Sequence, residues 1–219
     1  MSDPRALLVS DVDSTFIRQE VIELVADHAG TRERVEEITD RAMRGELDFA
    51  HSLRERVRTL AGVPVAALQE VTAQLEPTPG ALELVERCRA AGVRTALVSG
   101  GFHEVVDPLA QRAGVDHVVA NRFGVQDGLL TGELDGPIVD AEGKAAALRE
   151  LAARYGLPLA RTVAVGDGAN DVLMIRAAGR GVGFRPKPAL RAEADAVIDG
   201  DSLVEVWPQI EAVLGAESV

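Results

Sequence analysis

The chain has 219 residues, 47% of them hydrophobic, and a formal net charge of −12. That length and balance support a sizeable core and exclude a disordered chain. The acidity argues against nucleic acid and membrane surfaces as partners, which reward basic patches, but leaves a small anionic substrate open, because a metal ion and a few cations invert the potential of one pocket. The single cysteine, Cys88, forms no internal disulfide, which fits a reducing compartment. No signal peptide and no apolar run near the ~20 residues of a membrane span is visible, so a cytoplasmic protein, monomer or homodimer, is expected.

In chain order, residues 6–10 read as a buried strand that ends in Asp11-Val12-Asp13. Helical spacing follows: Val21, Ile22, Leu24 and Val25 up to Gly30; Val35, Ile38, Ala42 and Met43 up to Gly45; Phe49, Leu53, Val57 and Leu60; then a short helix over 64–75. Pro77-Thr78-Pro79-Gly80 breaks this block. Helix 81–90, strand 93–98, helix 103–112, strand 117–120, a hairpin over 123–132 turning at Asp127-Gly128, helix 142–155, strand 162–165, helix 170–178, short strands 181–184 and 196–198 and helix 202–214 complete the reading. Alternating elements of this kind predict an α/β fold, a doubly wound, mainly parallel, Rossmann-like sheet. The helical block sits just after the first strand. It is read as a small cap, residues 16–75, inserted into a core of 1–15 and 76–219, with Gly45 and the Pro77–Gly80 break as places where the cap could move.

Four polar clusters follow predicted strands: Asp11 and Asp13; Ser99-Gly100-Gly101; Lys144, at a helix start near Asp140; and Gly166-Asp167-Gly168-Ala169-Asn170-Asp171. In a parallel sheet these ends share one edge. Taken singly, each acid also reads as a helix cap, Ser-Gly-Gly as a turn and Lys144 as a surface lysine. Taken together they are complementary. Asp11, Asp13 and Asp167 offer hard oxygens suited to Mg²⁺. Ser99 and the glycines offer a phosphate cradle, and Lys144 a point charge. That combination describes phosphoryl transfer, with Asp11 as nucleophile and Asp13 giving and taking the proton. On the helix around residue 55, Arg56 falls within about 20° of Phe49, whereas Arg54 and Arg58 point elsewhere. An inward arginine reads either as half of a buried ion pair or as a carboxylate reader. Glu20 reads either as an ammonium ligand or as a first-turn helix acid.

With these residues in view the chain closely resembles the phosphoserine phosphatases of the haloacid-dehalogenase-like superfamily. DVDSTFIRQEVIE, with Glu20 in place, matches the first motif, VSGGF the second, Lys144 the third and GDGAND with Met174 the fourth; ANRFGVQDGLLTGEL is similar to the family's hairpin. The resemblance implies Asp11 as nucleophile and Asp13 as general acid/base. It implies Mg²⁺ on the carboxylates of Asp11 and Asp167 and on the backbone carbonyl of Asp13. Ser99 and Lys144 would hold the phosphoryl group, Asp171 would orient Lys144 and support the metal's water shell, and Asn170 would touch phosphate or substrate. Glu20 and Arg56 would read the ammonium and carboxylate of a phosphorylated amino acid, with Met43, Phe49 and Gly100 lining the pocket. Phe16 and Val172-Leu173 depart from the family's usual residues without touching a catalytic role. The implied reaction is hydrolysis of O-phospho-L-serine in serine biosynthesis. Phosphoryl transfer to a small alcohol such as homoserine and a non-catalytic phospho-acceptor domain are the alternatives.

Overall fold

Five apolar or small residues, Ala6–Ser10, form a strand (β1) that is buried along its whole length. A strand buried on both faces belongs inside a parallel sheet, covered by helices on either side. The structure, a computed structural model, describes residues 3–43 and 46–215. After β1 come four helices, α1 (Val21–Ala29), α2 (Arg32–Met43), α3 (Phe49–Arg58) and α4 (Ala67–Gln74). Then follow α5 (Ala81–Ala90), β2 (Val93–Phe102), α6 (His103–Ala113), β3 (His117–Asn121), β4 (Phe123–Gln126) and β5 (Leu129–Leu134). The chain continues through α7 (Ala141–Arg154), β6 (Thr162–Gly166), α8 (Val172–Ala177), β7 (Arg180–Phe184), α9 (Pro188–Arg191), β8 (Ala196–Ile198) and α10 (Trp207–Gly215).

Six strands form one parallel sheet in the order β3-β2-β1-β6-β7-β8. Alternate residues of β1 feed opposite layers of the core, as a period of two requires. Ala6 and Leu8 pack with Leu97, Val163 and Leu84 on one face. Leu7 and Val9 pack with Ala96, Val98, Ala164 and Leu148 on the other. The strand order reverses at β1, so Asp11 leaves the sheet at the switch point, where a crevice opens between diverging connections.

The helical block α1–α4 joins the sheet through two linkers lying side by side. Ile17 bridges Pro77, Arg18 N–H donates to Glu76 O and Thr78 N–H to Phe16 O. The hairpin β4–β5 turns at Asp127 and Gly128, both at positive φ, which the two-residue turn demands. It does not stand free: Gly62 N–H donates to Leu130 O, Leu130 N–H to Val63 O and Val65 N–H to Gly128 O. The segment between α3 and α4 is thereby stitched to the hairpin, a contact that periodicity could not show.

Three local expectations change. β2 runs on through Ser99-Gly100-Gly101 to Phe102, with its pairing to β3 interrupted between Val98 and Phe102, so the glycine segment is irregular strand and not a turn at a helix start. The helix expected at 170–178 begins as a 3₁₀ turn at Ala169–Asp171. The helix α9, led by Pro188, was not anticipated. Gly45 and the side chain of Met43 lie outside the described residues. Among the described residues no helix is long and apolar enough to cross a membrane.

Candidate active site

The carboxyl edge of the sheet gathers the polar clusters. Asp11 follows β1, and its N–H donates to Val165 O of β6, which fixes the start of the loop. Lys144 lies in the first turn of α7, whose start is capped by Asp140 accepting from Gly143 N–H at 2.9 Å. A cap of this kind contributes about 1 kcal/mol and sets the register of the helix. That register drives Lys144 into the interior, fully buried, where Nζ donates to Asp11 Oδ1 at 2.6 Å and to Asp171 Oδ1 at 2.7 Å. Asp171 is fully buried too, and its Oδ2 accepts from the N–H groups of Asp167 and Gly168, both at 3.1 Å. Gly166 is required here, because a β-carbon at that position would lie 2.5 Å from the Asp171 carboxylate. The lysine bridge therefore locks the ends of β1 and β6 to the start of α7.

The electrostatics follow from burial. Burial pulls Lys144 down, but Asp11 and Asp171 outweigh it and hold the ammonium charged. Burial pushes Asp11 up to about 8, with Asp171 adding to the rise and Lys144 opposing it. Asp13 is raised well above the ordinary carboxyl value, by burial first and then by the charges of Glu20 and Asp11. Its Oδ1 accepts from Val21 N–H, the first donor of α1, at 3.4 Å. Asp167 is likewise raised by burial, against the pull of Lys187.

Asp11, Asp167 and Asp171 each bring a carboxylate oxygen to within 4.8 Å of the others. Hard oxygens of this density suit a divalent cation. Both oxygens of Asp171 are already committed to Lys144 and to backbone N–H groups, so Asp11 and Asp167 are the members with capacity to spare. Ser99 is buried, and its Oγ accepts from Gly101 N–H at 2.8 Å, leaving the hydroxyl proton to donate elsewhere. Asn121 braces this segment: it donates to Gly100 O and accepts from Val139 N–H.

From the helical side, Phe49 meets the sheet edge: a β-carbon at Gly100 would lie 3.0 Å from its Cζ, so the ring would have to shift to admit a side chain there. Arg56, one face along α3, is half-buried. Its Nε donates weakly to Ser52 O at 3.4 Å, and among the described residues no carboxylate pairs with its guanidinium. Burial lowers it, while the charges of Glu20, Asp13 and Glu23 work the other way. The internal ion pair offered by the sequence is thus not formed. Glu20 stands at the N-cap position of α1 without capping it; Ser14 donates to its Oε1 at 2.8 Å. Asn170 lies in the 3₁₀ turn between Asp167 and α8.

One site residue escaped the sequence reading. Lys187 Nζ lies 3.0 Å from Asp167 Oδ2, and its N–H donates to Asp167 O. The available signal was its place three residues beyond β7, at the same sheet edge as the other clusters.

The family model of haloacid dehalogenase-like hydrolases matches residues 8–176. The phosphoserine phosphatase of Streptococcus thermophilus is 49% identical over 97% of this chain and 99% of its own length. The Mycobacterium tuberculosis phosphoserine phosphatase SerB2 is 52% identical over 88% of this chain, which spans only 47% of that protein. A phosphoserine phosphatase solved as a phospho-aspartyl intermediate analogue superposes with a TM-score of 0.89 at 38% identity, covering 94% of this chain and 99% of that one. A substrate-bound phosphoserine phosphatase complex gives 0.89 at 37% identity, covering 96% and 100%.

Proposed function

The chain belongs to the haloacid dehalogenase-like hydrolases, and from that premise we propose that it hydrolyses O-phospho-L-serine to L-serine and phosphate through an aspartyl-phosphate on Asp11. The observation that carries the reading is a pairing of opposites at one sheet edge: a buried Asp11–Lys144–Asp171 lock below, and above it the Arg56 guanidinium, which no carboxylate among the described residues pairs.

In this reading residues 16–75 act as a cap over a core of 1–15 and 76–219. The Ser99 hydroxyl and the Lys144 ammonium bind the phosphoryl oxygens, with Asn170 beside them. An oxygen of Asp11 attacks phosphorus, and the bond from phosphorus to the seryl oxygen breaks. Asp13, whose pKa burial and the charge of Glu20 raise, gives its proton to the departing oxygen. Serine leaves. Asp13 then takes a proton from water as the water oxygen attacks phosphorus; the bond to Asp11 breaks and phosphate departs. Asp11 and Asp167 would hold a divalent metal by their side chains, and Asp13 by its carbonyl, with Asp171 supporting from behind. When bound, Mg²⁺ supplies neutralisation of phosphoryl charge and alignment for in-line attack.

Specificity belongs to the cap. Arg56 takes the substrate carboxylate in its fork, Glu20 takes the ammonium group, and Phe49 closes over the carbon skeleton. The reaction releases L-serine in the cytoplasm, by a monomer or homodimer, as a biosynthetic step. Phosphate release from a panel of phosphorylated amino acids and sugars, with Mg²⁺ and with chelator, tests the reading. Metal-dependent turnover led by phosphoserine is expected. Preference for sugar phosphates, a stable phosphoprotein without turnover, or transfer to added homoserine would overturn it.

A further inference from the structure

Ser14, next to Asp13 in the first motif, has no role in the scheme above, and its backbone is unusual. It lies at φ 57° and ψ 5°, in the left-handed region, between Asp13 and Thr15. A residue other than glycine or asparagine adopts that region only at a cost in backbone strain. The tight bend at Val12–Phe16 maintains it: Ser14 N–H donates to Gln19 O, and Ile17 N–H donates to Val12 O. The consequence is a direction. Ser14 Oγ is turned across the bend onto Glu20, donating to Oε1 at 2.8 Å.

Glu20 needs such a hold. Its side chain does not cap α1, although the residue stands at the N-cap position. Its charge is felt by Asp13 and by the Arg56 guanidinium, to which no carboxylate of the described residues is bonded. An acid and a guanidinium that act on each other and are both left free to move would pair, and each would then be lost to a ligand. The hydroxyl of Ser14 occupies one carboxylate oxygen and ties Glu20 to the bend that follows β1.

We propose that Ser14 is a positioning residue for amine recognition: its left-handed backbone and its hydrogen bond hold the Glu20 carboxylate apart from Arg56, ready for the ammonium group of the substrate. The inference deepens the reading of the site given above and rests on it.

The test is a specificity ratio. Wild type, Ser14→Ala and Ser14→Gly are assayed with Mg²⁺ on O-phosphoserine and on its analogue lacking the amino group, 3-phosphooxypropanoate. Glycine relieves the backbone and removes the hydroxyl, so this variant separates positioning from folding. Both variants are expected to lower the ratio of kcat/KM values about tenfold, chiefly through KM for phosphoserine, with kcat on the analogue kept. If Ser14→Gly keeps the wild-type ratio, or if both substrates fall together, the positioning role is overturned while the phosphatase reading stands. If the wild-type enzyme shows no preference for the amino substrate, the amino-acid reading of the pocket fails first and takes this inference with it.

Discussion

The sheet edge and the helical block face each other, yet they hold their charged groups in opposite ways. On the sheet edge every buried charge is answered from within: Lys144 by Asp11 and Asp171, Asp171 by two backbone N–H groups, Asp167 by Lys187. On the helical side Arg56 lies half-buried with no carboxylate of the described residues bonded to it, and Glu20 is held by the hydroxyl of Ser14. A locked network gives atoms a fixed position at the cost of freedom, which suits bond making. Unpaired groups on an inserted element leave their interaction energy for a ligand, which suits selection among substrates. The contrast predicts that substitutions on the sheet side alter kcat and stability, and that those on the helical side alter KM alone.

The largest effect is expected at Asp11. Asp11→Asn keeps the shape and the contact to Lys144 but removes the nucleophile, so turnover falls by about a thousandfold or more while phosphoserine still binds. Single-turnover phosphate release together with ligand binding by calorimetry checks both halves. Retained turnover would mean that the locked network is a structural brace and that the chemistry lies elsewhere.

Lys144→Met comes next and tests the lock itself. The substitution strands two buried carboxylates that share one ammonium, and removing one partner of a buried pair costs about 3–5 kcal/mol. Urea unfolding of the metal-free protein is expected to show that loss, and turnover is expected to fall about a hundredfold or more with Mg²⁺ present. Activity lost without any loss of stability would show that the bridge is weaker than its burial implies.

Arg56→Ala is the mirror experiment. KM for phosphoserine is expected to rise about ten- to a hundredfold through the lost charged hydrogen bonds, with stability within about 0.5 kcal/mol of wild type, because no carboxylate is left stranded. A destabilisation as large as that of Lys144→Met would erase the distinction between the two regions.

The sheet side was also the more legible. Residues 6–10 and 162–165 are short apolar runs that end in acids, and a parallel sheet has one edge on which to place them, so Asp11, Asp167 and Lys144 converge by topology. Arg56 was legible because helical geometry separates it from Arg54 and Arg58. Less could be read where backbone departs from periodicity. The Ser99–Gly101 segment looked like a turn because glycine weakens a strand signal, yet neighbouring strands carry it onward. α9 has only four residues, too few for a helical stripe, and Lys187 was missed with it. The docking of the hairpin on the α3–α4 segment depends on backbone hydrogen bonds, which side-chain patterns do not encode.

The smallest expected effect lies outside both regions, at the strand end away from the site, and measures what an ordinary buried titration does in this fold. His117, at the start of β3, bonds the Tyr155 hydroxyl through Nε2. Burial, with Arg154 and Arg94 nearby, lowers its pKa, although Asp116 acts in the opposite direction. A histidine whose folded pKa is depressed contributes its full stability above the unfolded value near 6.5, and loses it as pH falls through that value toward the folded one. The melting temperature advantage of wild type over His117→Gln is therefore expected to shrink between pH 7.5 and pH 5.5, with kcat/KM for phosphoserine the same in both proteins. An advantage that grew on acidification would mean that Asp116 dominates and that the ring is charged in the folded protein. A change in kcat/KM would mean that the far end of the sheet communicates with the site, and the two-region division would then be too simple.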